Sequence, residues 1–186
     1  MIVPESKEAF NLMRFIHLLP FLLLPFAIIQ ARAAPQRLPL LPAGSAVAIR
    51  AYALGFVPLD GRFTRFSGWL TYNPDNLTDC RVELTVETAS LTMPDASARE
   101  TLVGTDFLDV ARYPTIEYAG ACEARTLAGI LGMHGVDGPF AMALDWSPGR
   151  VIASGRLRRA DWGMTARPLF GGPTIRIEVT VSLQGT

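Results

Sequence analysis

Near the carboxy terminus the chain alternates strictly: Ile175, Ile177, Val179, Val181 and Leu183 are separated by Arg176, Glu178, Thr180 and Ser182. A period of two sends successive side chains to opposite faces, so this stretch predicts a half-buried strand. The same parity sets Val82, Leu84 and Val86 against Arg81, Glu83, Thr85 and Glu87, and sets Phe140, Met142, Leu144 and Trp146 against Ala141, Ala143 and Asp145. Ile116 and Tyr118 around Glu117 give a fourth strand. Weaker runs at Val47 to Leu54, Arg62 to Tyr72, Leu127 to Met133 and Val151 to Leu157 bring the count to eight. Turn-forming clusters separate these runs: Asn73-Pro74-Asp75-Asn76, Asp137-Gly138-Pro139, Ser147-Pro148-Gly149 and Gly171-Gly172-Pro173. Short strands at this spacing predict an all-β antiparallel sandwich or barrel. One interruption reads as helix: Asp95 caps Ala96 to Val103, Gly104 ends it, and Thr105 caps a second short turn through Asp109. Leu102, Val103, Phe107 and Leu108 give this insertion an apolar side that should cover an end or flank of the sheet.

The amino-terminal block Phe15 to Ile29 is apolar without any period. It is shorter than the roughly 20 residues of a membrane-crossing helix, and Pro20 and Pro25 interrupt it. With Arg14 before it and Ala31-Arg32-Ala33 after it, residues 1–33 read as a signal peptide, against the alternative of an uncleaved anchor. Residues 34–44 form a proline-rich lead-in, and 45–186 form the β domain.

Charge and residue inventory then narrow the chemistry. The 186 residues carry 17 basic and 17 acidic side chains; beyond Ala33 there remain 14 basic and 15 acidic, a charge of −1 with no basic footprint for nucleic acid. That part has no lysine and one histidine, His134, which removes Schiff-base chemistry and leaves any triad or Cys-His pair dependent on His134. Cys80, Cys122 and His134 stand at no metal-ligand spacing, so no metal or cofactor is expected.

Several blocks resemble the YceI-like family of periplasmic polyisoprenoid-binding proteins. They run in order: Phe63-Thr64-Arg65-Phe66-Ser67-Gly68-Trp69-Leu70-Thr71-Tyr72 with Asn73-Pro74-Asp75-Asn76, then Ala89-Ser90-Leu91-Thr92. After them come Arg99-Glu100 with Leu102, and Asp106-Phe107-Leu108-Asp109-Val110 leading to Tyr113-Pro114-Thr115-Ile116. Last are Gly129-Ile130-Leu131-Gly132-Met133-His134-Gly135-Val136 and Arg159-Ala160-Asp161-Trp162-Gly163-Met164. Gly132 and Gly138-Pro139 depart from the family pattern, as does the doubled Arg158-Arg159. The resemblance implies an antiparallel eight-stranded lipocalin-like barrel with a short helical insertion, located in the periplasm, whose interior holds an isoprenoid or other lipid without catalysis.

On that barrel, strand parity places Phe66, Leu84, Val86, Tyr118, Phe140, Met142, Leu144, Ile177 and Val179 in the lumen, with Leu102 and Phe107 covering the ligand from the insertion. Ala48, Gly68, Ala119, Ala128, Gly129, Gly132, Ala141, Ala143 and Gly155 lie in the strands. Their small size favours a partly open lumen, whereas the competing arrangement puts them outside a solid core. Trp69, Trp146 and Trp162 read as core or end plugs, Arg158, Arg159 and Arg167 as solvated surface, and His134 as a turn-stabilising group. Two rival functions remain: an enzyme acting on an apolar substrate with His134 as base, and a ligand-free accessory protein of the envelope serving a membrane redox partner. Finally, export and an antiparallel pairing of the Val82 and Ile116 strands would bring Cys80 opposite Cys122, predicting a disulfide in place of two buried thiols.

Overall fold

Where the alternation is strongest the chain forms strands, and they join in one antiparallel sheet. The computed structural model describes residues 33–166 and 172–183. Its strands are β1 (Gln36–Pro39), β2 (Ser45–Ala53), β3 (Val57–Phe63), β4 (Phe66–Asn73), β5 (Asn76–Glu87), β6 (Leu91–Thr92), β7 (Thr115–Glu123), β8 (Thr126–Met133), β9 (Val136–Ser147), β10 (Arg150–Arg158) and β11 (Thr174–Ser182). Helix α1 (Ala96–Val103) follows β6, and single 3-10 turns occupy Thr88–Ser90 and Arg159–Trp162. The lateral order is β1-β4-β5-β7-β8-β9-β10-β11-β2-β3-β6. The residues read as a signal peptide lie outside the described residues, apart from Ala33.

The sheet has eleven strands where the alternation predicts eight, and the difference has a physical cause. Arg62 to Tyr72 reads as one run, but the ladder breaks at Thr64 and Arg65, so its two parts count as β3 and β4. β3 pairs with β2, whereas β4 pairs with β5. Because only two residues join them, the two sides of the sheet are drawn together at this corner and the sheet curls into an open barrel, with no ladder among the described residues joining its edge strands β1 and β6. Ser90 fastens the corner: its hydroxyl receives the Arg65 amide at 3.1 Å, and its carbonyl accepts from the Thr64 amide at 3.2 Å. The other additions are short. β6 covers the free edge of β3, and β1, inside the proline-rich lead-in, pairs with β4 from Gln36↔Tyr72 to Pro39↔Trp69.

Two local readings change. Asp137-Gly138-Pro139 is strand, not turn; the hairpin turn is His134-Gly135, both at positive φ (52° and 73°). Pro139 is tolerated because β10 pairs with β9 only from Ala143 onward, so its missing N–H breaks no ladder on that side. The helix agrees: Asp95 accepts the amides of Ser97 and Ala98, and α1 ends before Gly104. The second turn is capped by the Gly104 carbonyl, which accepts from the amides of Phe107 and Asp109, rather than by Thr105.

One core fills the barrel. Leu70, Leu84, Val86, Tyr118, Leu127, Leu131, Phe140, Met142, Leu144, Val151, Leu157 and Val179 are all buried. Gly68 and Gly129 let neighbouring strands approach: a Cβ there would sit 2.1 Å and 2.2 Å from the carbonyl oxygens of Glu83 and Ala119.

Candidate functional site

Inward parity from eight strands converges on an apolar cavity of about 60 Å³ in the middle of the barrel. Leu84, Val86, Tyr118, Phe140, Met142, Ile177 and Val179 line it. A second cavity of about 30 Å³ lies deeper, lined among others by Leu144, Trp146 and Cys80. Leu84, Tyr118, Met142 and Val179 line both and so form a waist between them. Phe66 is buried in the same core but lines neither.

The structure also shows what the sequence reading left out. Leu131, Met133 and Leu157 line the central cavity from strand runs too weak to be weighed alone, and Ile175 lines it from the start of the strictest run. Leu108 of the insertion reaches it as well. Leu102 and Phe107 do not; they line a wider pocket of about 540 Å³ with Tyr52, Leu54, Val57 and Leu59. Ile175 belongs to both this outer pocket and the central cavity, so the outer pocket is the mouth and Ile175 its threshold.

Most small residues do not widen the lumen. By strand parity Ala48, Ala119, Ala128, Gly132, Ala141 and Ala143 face outward, and only Gly68, Gly129 and Gly155 face in. At Gly155 the space is already used, since a Cβ would meet Phe140 Cζ at 2.6 Å and Met142 Cγ at 3.0 Å. The expectation of a partly open lumen is therefore corrected: the interior is nearly filled. An engineered cavity of about 150 Å³ admits benzene, and the central cavity is less than half that size.

Polar groups in the barrel are few. Tyr118 Oη donates to the Leu127 carbonyl at 3.1 Å, with the Phe140 carbonyl at 3.3 Å, and burial pushes its phenol up to about 12. Trp146 Nε1 is buried with no protein acceptor. His134 stands at the β8–β9 turn, where Nδ1 donates to the Trp162 carbonyl at 3.1 Å and the ring lies 4.5 Å from that of Tyr113. It lines neither lumen cavity nor the mouth. Trp162 plugs the barrel end, donating to the Leu131 carbonyl at 3.1 Å. Trp69 does not plug anything; it is 40% exposed beneath the Arg37 guanidinium. Among the described residues no cluster of three metal-donor side chains occurs.

Arg159 is the second departure. It is 5% exposed, not solvated: Nη1 donates to the carbonyls of Met164 (2.8 Å) and Ala166 (2.6 Å), Nε donates to that of Gly172 (3.1 Å), and the guanidinium lies 5.3 Å from the Phe107 ring. It lines the mouth. Arg158 is exposed and paired with Asp161, and Arg167 lies outside the described residues. At the other end, Cys80 and Cys122 form a disulfide with Cα atoms 5.0 Å apart, next to the Arg81↔Ala121 register pair.

Comparison with known proteins agrees with this architecture. A UPF0312 protein of Enterobacter sp. (strain 638) is 27% identical over 154 residues, covering 75% of this chain and 79% of the relative. A UPF0312 protein of Vibrio vulnificus (strain YJ016) is 26% identical over 163 residues, covering 79% and 83%. Among solved structures, Burkholderia cenocepacia BcnA superposes with a TM-score of 0.64 at 16% identity, covering 76% of this chain and 98% of that one. A polyisoprenoid-binding domain from Saccharophagus degradans, implicated in plant cell wall breakdown, superposes with a TM-score of 0.53 at 14% identity, covering 74% and 94%. At such identities these two likenesses bear on the fold, whereas the match of residues 39–186 to the YceI-like domain bears on descent, and by it the chain belongs to the YceI-like family.

Proposed function

We propose that the protein binds a long isoprenoid or similar lipid chain in the barrel and carries it through the periplasm without altering it. The observation that carries this reading is the all-apolar central cavity joined at Ile175 to a wider mouth. Each methylene moved from water into such a lumen contributes about 0.8 kcal/mol, so a long chain binds without dedicated polar contacts. The polyisoprenoid-binding solved relative supports the ligand class.

The narrow lumen sets the mechanism. A chain enters only if lumen side chains change rotamer, and the waist and walls include Met142 and Met133, unbranched residues that refill or vacate irregular space at low cost. Binding then exchanges side-chain atoms for ligand atoms. A head group stays in the mouth, where Arg159 stands.

The small cavity volume also favours a second reading, a packed accessory protein of the envelope without ligand. Mass spectrometry of organic extracts from the purified protein separates them. A co-purifying prenyl lipid is expected, and a protein that extracts clean overturns the binding reading. For secretion, amino-terminal sequencing of the exported protein should begin at Ala34; a full-length chain found only in membranes counts against it.

A further inference from the structure

The β2–β3 hairpin breaks two rules at once. Its central residues Leu54 and Gly55 both have positive φ (50° and 80°), and the Phe56 amide closes the turn on the Ala53 carbonyl at 3.1 Å. Such a turn favours Asn, Asp or Gly at its first central position and disfavours a bulky apolar side chain. The tip is also bare: Phe56 is 74% exposed, Leu54 53% and Val57 40%. An apolar tip held in a disfavoured conformation and left in water contributes nothing to the barrel's own core.

Behind the tip lies positive charge. On the outer face, cross-strand register aligns Arg156, Arg176 and Arg50 in one row over β10, β11 and β2, with Arg158 one step nearer the mouth on β10. Like charges in direct register oppose sheet stability. Arg50 is paired with Asp60 at 2.5 Å and Arg158 with Asp161 at 3.1 Å, and Glu178 lies on the same face of β11. Among the described residues, Arg156 and Arg176 have no salt-bridge partner. Arg50 precedes Ala53 by three residues, which in a strand is about 10 Å. An interfacial apolar element sinks about 5–10 Å into the headgroup and acyl boundary, so the row would lie at headgroup level when the tip is inserted. Guanidinium suits bidentate phosphate contact.

We propose that the β2–β3 tip is a docking wedge for an anionic lipid bilayer. Leu54 and Val57 line the mouth, so docking brings the mouth to the acyl chains and gives an insoluble cargo a route that avoids water. The inference rests on the lipid-binding reading for its purpose, but docking itself is tested apart from cargo, and Phe56 does not line the mouth.

The test is co-sedimentation of the purified protein with vesicles of equimolar phosphatidylcholine and phosphatidylglycerol, beside vesicles of phosphatidylcholine alone. Binding should favour the anionic vesicles and weaken at high salt. Phe56→Ser should weaken it about tenfold, the equivalent of losing one buried aromatic, while co-purified lipid and melting temperature stay unchanged. Arg156→Glu with Arg176→Glu should remove the anionic preference. Wild-type protein that ignores vesicles overturns the proposal, and co-purified lipid in that same protein would leave the lumen reading standing. Phe56→Ser binding vesicles like wild type also overturns it, including the case where the variant only dissolves a self-association seen by light scattering, which would assign the tip to a protein contact.

Discussion

At the deep end of the barrel Cys80 and Cys122 join β5 to β7, and Leu127 and Leu40 are almost fully buried. The mouth end has no covalent closure among the described residues; α1, Arg159 and the β2–β3 hairpin tip surround a pocket of about 540 Å³ there. The same strands run through both ends, so strand propensity does not separate them. What differs is how far each end satisfies its apolar surface: the deep end leaves Leu77 only 36% exposed, whereas the hairpin tip beside the mouth leaves Phe56 74% and Leu54 53% exposed. A barrel that takes up a chain has to deform somewhere, and the disulfide places that freedom at the mouth.

The largest test of this contrast is to cut the deep end loose. Cys80 and Cys122 are 42 residues apart, and closing such a loop stabilises by about 4 kcal/mol in the chain-entropy model. Cys80→Ser with Cys122→Ser should lower the melting temperature by roughly 10 °C while vesicle docking at the mouth is kept. Thiol titration of the denatured, unreduced protein should find no free thiol; two per chain would mean the ends are not held differently.

Next in size is the waist. Met142→Ala removes buried atoms between the two cavities, and truncations of this kind destabilise by about 2–5 kcal/mol. Urea denaturation should show a loss toward the lower part of that range, since two cavities already adjoin the site. The enlarged lumen should keep its co-purified lipid or hold more. A variant that loses both stability and lipid would show that Met142 is structural core, not a displaceable wall.

Much of this was legible from alternation, because burial on one face of a strand leaves a period-two trace. The lumen faces of β5, β7, β9 and β11 follow from parity, and the Cys80–Cys122 pairing from an antiparallel neighbouring of their strands taken together with export. β3 was not legible: Pro58 and Gly61 interrupt its alternation, although its partner β2 directly precedes it in a hairpin. The corner at Thr64 and Arg65 is a tertiary effect, fastened by Ser90 from 25 residues away. The filling of the lumen was hidden too, because composition counts small residues without telling which face they occupy. Arg159 read as surface since nothing local to it reveals the backbone carbonyls of Met164, Ala166 and Gly172 that surround it.

A smaller test uses pH. Tyr118, at the waist, has its phenol raised from 10.0 to about 12 by burial, so the folded state favours the neutral form. The stabilisation is complete below about pH 10, where the unfolded phenol is also neutral, and is lost as pH rises toward 12. Urea midpoints should fall across that window, and less steeply in Tyr118→Phe. Equal slopes would mean the waist admits water and is open like the mouth.

The smallest effect compares the β8–β9 and β2–β3 hairpins directly. His134-Gly135 and Leu54-Gly55 share the same pair of positive φ angles, but His134 recovers the conformational cost through Trp162 and Tyr113, whereas Leu54 is 53% exposed. Asparagine adopts positive φ more readily than leucine. Leu54→Asn should therefore raise stability by about 0.5–1 kcal/mol, a gain in the range typical of repaired turn positions, and should weaken docking to anionic vesicles at the same time. A matched His134→Asn should instead lower stability, because the turn loses its ring contact with Tyr113. If Leu54→Asn were less stable than wild type, leucine would be contributing to packing at the tip, and the difference drawn between the two hairpins would disappear.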